Sequence, residues 1–172
     1  LLLLGCNQPT KPTEQSSKLS AKSIDTSKYV ILKFDPDKDK YIFGKDNKPA
    51  DLSADEIVKI ETMIADEVAR YNKNAKATED SISKTNGRNK YGDSSAYYQI
   101  SDPGKYYKQF VTVTDAKGQK EVWVGCFCDK YFWHMNWQKS LVMIDGGGDC
   151  YFQFRINLTT NRVILFNINA PE

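Results

Sequence analysis

The sequence predicts an α+β fold: an antiparallel β-meander with one main helix packed across one face. Three observations predict it. A capped stretch after residue 52 repeats its apolar residues at helical spacing. The second half of the chain alternates apolar and polar residues with a period of two, and the connections between those runs are short.

The elements follow in order. Tyr29 to Phe34 (YVILKF) is a β-rich run, followed by a polar turn from Asp35 to Lys40 and a short strand at Tyr41-Ile42-Phe43. Ser53-Ala54-Asp55-Glu56 is a capping box, in which the Ser53 hydroxyl accepts from the Glu56 amide and the Glu56 carboxylate accepts from the Ser53 amide. Behind it Ile57, Ile60, Ile64, Val68 and Tyr71 form an apolar stripe, with Met63 beside it. The spacing predicts a helix over 53–71 that must lie on something. Residues 72–96 are polar and contain the Asn86-Gly87 and Gly92-Asp93 turn signals, so they read as a long surface excursion.

From residue 106 the chain reads as strand after strand. Tyr107 to Thr114 and Lys120 to Cys128 flank the turn Asp115-Ala116-Lys117-Gly118. Ser140 to Asp145 and Cys150 to Leu158 flank three glycines, and Arg162 to Ile168 follows Thr159-Thr160-Asn161. Short connections imply antiparallel neighbours. Cys150, Phe152, Phe154 and Ile156 share one side of their strand, as do Val122, Val124, Cys126 and Cys128 of theirs, which gives the sheet one buried face. An early helix followed by a strand meander is similar to the cystatin-like and NTF2-like folds. That likeness implies an architecture and no activity.

The first residues carry an address. Leu1-Leu2-Leu3-Leu4-Gly5-Cys6 resembles the end of a bacterial lipoprotein signal peptide. The resemblance implies cleavage after Gly5, acylation of Cys6 and a basic leader upstream. Asn7 to Ser27 is polar and holds only Leu19 and Ile24 as large apolar residues, too few to offset the entropy of ordering. The chain thus divides into a residual leader (1–5), a lipidated tether (6–27) and one domain (28–172). Asn7 follows the cysteine where Asp would signal inner-membrane retention, and by that analogy the protein belongs to the outer membrane, facing the periplasm.

A second resemblance covers more of the chain. Glu121-Val122-Trp123-Val124 running into Cys126-Phe127-Cys128, with the Gly-Gly-Gly-Asp-Cys-Tyr-Phe segment, is similar to small uncharacterised lipoproteins and secreted proteins of Bacteroidetes-type bacteria, over residues 53–72 and 106–170. It implies kinship and carries no mechanism.

Charge excludes one partner class. The 24 Lys and Arg exceed the 22 Asp and Glu only because Lys11, Lys18, Lys22 and Lys28, against Glu14 and Asp25, precede Tyr29. The remainder is balanced and shows no basic footprint for nucleic acid.

Four constellations could carry chemistry. Cys126, Cys128, His134 and Cys150 make a Cys₃His set on paper. Cysteines two apart on a strand stand roughly 7 Å apart, however, whereas sulfurs sharing a zinc lie closer than about 4 Å. That geometry disfavours a Cys126–Cys128 bridge as well, and a strict meander places Cys150 near Val122, so a bridge to Cys150 needs another strand order. Packed free thiols are the expectation, although an oxidising compartment favours disulfides. Tyr131, Trp133, His134 and Trp137, in an aromatic connection between strands, are the candidate ligand-binding residues. Asp35-Pro36-Asp37-Lys38-Asp39 mimics the opening of a calcium loop, but Lys40 replaces its glycine. Asp145-Gly146-Gly147-Gly148-Asp149 precedes a strand rather than a helix and reads as a tight turn. No cofactor or metal is expected. The function expected is a non-catalytic binding or interaction module, joined to the membrane through its lipid and meeting a small ligand or envelope protein. The alternative is a small hydrolase or isomerase using His134 with Asp145 or Asp149.

Overall fold

The computed structural model describes residues 25–86, 99–128 and 136–170, with side chains as far as residue 77 in the first of these segments. The fold is α+β, one main helix on a six-stranded sheet. The strands are β1 (Tyr29–Leu32), β2 (Lys48–Pro49), β3 (Tyr107–Thr114), β4 (Lys120–Phe127), β5 (Tyr151–Asn157) and β6 (Arg162–Ile168). Their order is β1-β3-β4-β5-β6, with β2 beside the far end of β3.

The expected hairpins form where turn chemistry demands them. Asp115 Oδ1 accepts from the amides of Lys117 and Gln119, each at 2.8 Å, and Gly118 takes φ +76° to close β3 onto β4. Between β5 and β6, Asn157 Oδ1 accepts from Thr160 N at 2.8 Å and Asn161 adopts φ +55°. The sheet is nevertheless mixed rather than wholly antiparallel. β1 runs parallel to β3, Tyr29 beside Lys108 and Leu32 beside Val111. A residue run such as YVIL fixes a strand's faces but says nothing of its direction.

The main helix, α2 (Ala54–Asn86), starts at the capping box: Ser53 N donates to Glu56 Oε2 at 2.8 Å and Glu56 N to Ser53 Oγ at 3.3 Å. Ile57, Ile60, Ile64 and Val68 are buried against Phe110, Val122, Val124, Phe152 and Phe154. Each such side chain contributes roughly 1.5–3 kcal/mol by leaving water. The helix continues to Asn86, fifteen residues past the expected end at Tyr71. No glycine or proline interrupts the chain between Ala50 and Gly87, so the backbone goes on after the apolar stripe has stopped.

Tyr41-Ile42-Phe43 is part of a one-turn helix, α1 (Lys40–Phe43), and not a strand. Phe43 is drawn against Phe34, edge to face at 5.9 Å, and Gly44 at φ +81° ends the turn. Both phenylalanines pack with Val111, Val113 and Trp123 on the sheet face that α2 does not touch. The expectation of one buried face is corrected here: β3 and β4 are covered on both sides, by α2 on one and by the 33–50 and 136–147 segments on the other.

Ser140 to Asp145 is not a strand either, and β4 pairs directly with β5, Phe127 opposite Tyr151. One step further along that register stands Cys128 opposite Cys150.

Candidate functional site

The aromatic connection leaves the sheet at Cys128 and returns at Cys150. Of the candidate ligand-binding residues, Tyr131, Trp133 and His134 lie outside the described residues, as does the lipidation candidate Cys6. Trp137 is described. It is half-buried, edge-on to Tyr107 at 5.5 Å and to Phe127 at 5.7 Å, and Tyr107 stacks on Phe127. Val142, Ile144 and Tyr151 complete this third cluster at the end of the sheet's second face.

What holds the returning segment there is Gln109, a residue the sequence reading passed over. Fully buried in β3, its amide nitrogen donates to the carbonyls of Trp137 and Ser140, the latter at 2.7 Å, and its oxygen accepts from Val142 N at 2.8 Å. One side chain thereby supplies hydrogen bonds that a neighbouring strand would have supplied. The signal was present: Gln109 shares its strand face with the apolar Val111 and Val113, where a polar residue needs a dedicated partner.

Cys128 and Cys150 form a disulfide, with Cα atoms 4.9 Å apart and Cys128 N donating to Cys150 O at 3.0 Å. This corrects the expectation of packed free thiols. The expected strand over 140–145 had displaced Cys150 along the sheet; without it the two cysteines are direct cross-strand neighbours. Among the described residues Cys126 alone stays free, under α2. Burial pushes its thiol up to about 12, against the pull of Lys108, and the nearby Glu61 carboxylate adds to the rise. Lys108 itself is buried and paired to Glu61 at 3.1 Å. Two sulfurs of the Cys₃His set are thus bonded to each other. Among the described residues, no group of three His, Cys, Asp or Glu side chains is placed to hold a metal.

The remaining constellations are occupied by their own backbone. Asp35 Oδ1 accepts from the amides of Asp37 at 3.0 Å and Lys38 at 3.3 Å, and Asp39 Oδ2 accepts from Asp35 N at 2.9 Å. Gly146, Gly147 and Gly148 all take positive φ, at +90°, +81° and +56°. The Asn169 amide donates to the carbonyls of Ile144 and Gly146, and Gly148 N donates to Ala170 O. Asp145 is exposed, whereas the Asp149 carbonyl accepts from the Tyr106 hydroxyl at 3.1 Å. Burial, then the Asp149 charge, pushes that hydroxyl up to about 12.

Between the 142–144 segment and the sheet lies a cleft of about 40 Å³, floored by Trp123 and Gly125 and edged by Met143, Gln153 and Asn169. The indole lies across Gly125, where a β-carbon would collide with the ring, and its N–H donates to Gln153 Oε1 at 2.8 Å. Such a space holds a few waters, far less than the roughly 300 Å³ of a small-molecule pocket.

Comparison with protein families, curated proteins and solved structures gave no match to this chain. The site therefore stands on its geometry alone. It is an aromatic connection joined to the sheet at its two ends by one disulfide, with Gln109 and the Trp137 cluster fastening its returning half.

Proposed function

We propose that this protein is an exported, lipid-anchored envelope domain that meets a ligand or partner protein through the 129–149 connection, without catalysis. The observation that carries the reading is the Cys128–Cys150 disulfide. Structural disulfides persist in oxidising compartments and are rare in the reducing cytosol, in keeping with the lipoprotein-like leader and its Cys6. Binding loops are commonly carried on rigid scaffolds, and here the sheet, the disulfide and Gln109 supply the rigidity. The aromatic residues Tyr131, Trp133 and Trp137, with His134, give the connection the side chains that stack on sugars or peptides. In this reading the anchor is the outer membrane and the domain faces the periplasm.

Two measurements test it. Metabolic labelling with an alkynyl fatty acid is expected to mark the wild-type chain and not Cys6→Ser. In a thermal-shift screen of the Cys6→Ser chain against sugars and peptides, a hit is expected to weaken in Trp133→Ala and Trp137→Ala. A Cys6→Ser chain that labels as strongly as wild type would remove the anchor. Hits insensitive to both tryptophans, or none at all, would remove the binding role of the connection.

A further inference from the structure

Only β5 hydrogen-bonds to β6 among the described residues, so the outer edge of β6 offers unpaired backbone donors and acceptors. The opposite margin of the sheet is β1, just four residues long; β6 has seven. Ile164 and Leu165 are 51% and 47% exposed there, with no charge between Arg162 and Ile168. We propose that this edge pairs with the same edge of a second copy of the chain, antiparallel about a two-fold axis between Ile164 and Leu165.

The pattern of β6 is what selects a second copy. Arg162-Val163-Ile164-Leu165-Phe166-Asn167 reads polar, four apolar, polar in either direction, the self-complementarity that a two-fold contact requires. The pairing sets Val163 against Phe166, Ile164 against Leu165 and Arg162 against Asn167, whose amide oxygen can accept from the guanidinium. Opposed residues of an antiparallel pair must point to one face. In a regular strand this register fails, because residues three apart face opposite ways. β6 is not regular: Leu165 stands opposite Arg155 and Val163 opposite Ile156, leaving Ile164 as a bulge. The extra residue puts Val163 and Phe166 together on the α2 side and Arg162 and Asn167 together on the other. Charge disfavours the competing arrangement, since in-register parallel stacking opposes Arg162 to Arg162. Six residue pairs cover much less than the roughly 1,600 Å² of a standard interface, so the association is weak and concentration-dependent.

Sedimentation velocity on the full chain carrying Cys6→Ser, over a concentration series reaching the millimolar range, is expected to show a monomer–dimer equilibrium. Leu165→Lys, with Ile164→Lys as a second variant, is expected to weaken it by about tenfold or more while leaving far-UV circular dichroism and the melting temperature unchanged. Mixed Arg162→Cys and Asn167→Cys chains are expected to cross-link to each other by mass spectrometry, and neither to itself. A monomer at every concentration, a dimer indifferent to both lysines, or a 162–162 cross-link would overturn the proposal.

Discussion

Gly147 and Gly118 share a left-handed backbone but not their surroundings. A β-carbon at Gly147 would meet the Tyr151 ring, whereas one at Gly118 would meet open space. Gly118→Ala is therefore expected to cost about 1–2 kcal/mol, the backbone penalty alone. Gly147→Ala is expected to cost clearly more, because the ring must also move; urea denaturation of the two variants measures the difference. Cys126 gives a second test. With its thiol pushed up to about 12 by burial, it is expected to resist iodoacetamide in the native protein and to react once the chain is unfolded, as peptide mapping would show. Gln109 marks how far single residues were legible. Its polarity on a strand face shared with Val111 and Val113 announced a partner, but the partner is backbone from about thirty residues further along, and no local pattern names it.

Helix α2 was legible at its start and not at its end, because the two ends rest on different physics. The start is written in Ser53 and Glu56, which cap each other. The end is written only in the absence of a breaker before Gly87, a weaker signal than an apolar stripe. The start is also where pH acts. Burial opposes ionisation of Glu56, but hydrogen bonds from Lys120, at 2.7 and 2.8 Å, and from Ser53 outweigh it, holding the carboxyl below its usual 4.5. A lowered folded-state value stabilises the protein fully above about pH 4.5 and is lost as pH falls through that folded-state value. The stability gap between wild type and Glu56→Gln is thus expected to be present at pH 6 and to narrow progressively as the pH is lowered below 4.5, read as urea midpoints. Among the strands, Ser140 to Asp145 misled because an apolar run shows burial without showing which groups satisfy its backbone. That single misreading hid the disulfide. Cys128→Ser with Cys150→Ser is expected to cost about 3 kcal/mol, as for a loop of this length, measured by denaturation against the oxidised protein.

At the scale of the molecule, layering was legible and strand order only partly so. Alternation gave the helix-covered face of the sheet. The second covered face was foreshadowed by apolar residues at consecutive positions, Phe110-Val111 in β3 and Val122-Trp123-Val124 in β4, which cannot all point to one side. Nothing local disclosed that β1 joins β3 in parallel. That strand shields the β3 margin at Lys108 to Val111, so a chain beginning at Lys33 is expected to aggregate or melt early, while one beginning at Asp25 folds; size-exclusion chromatography and thermal melts distinguish the two. The direction of β1 also orients the whole body. Tyr29 enters at the rim of the sheet where Phe127 leaves it and Tyr151 comes back. The entry of the first strand and the cystine that closes the 129–149 connection thus share one pole of the sheet. A partner that binds the connection therefore approaches the domain at the pole where Tyr29 enters the sheet, away from the β3–β4 hairpin.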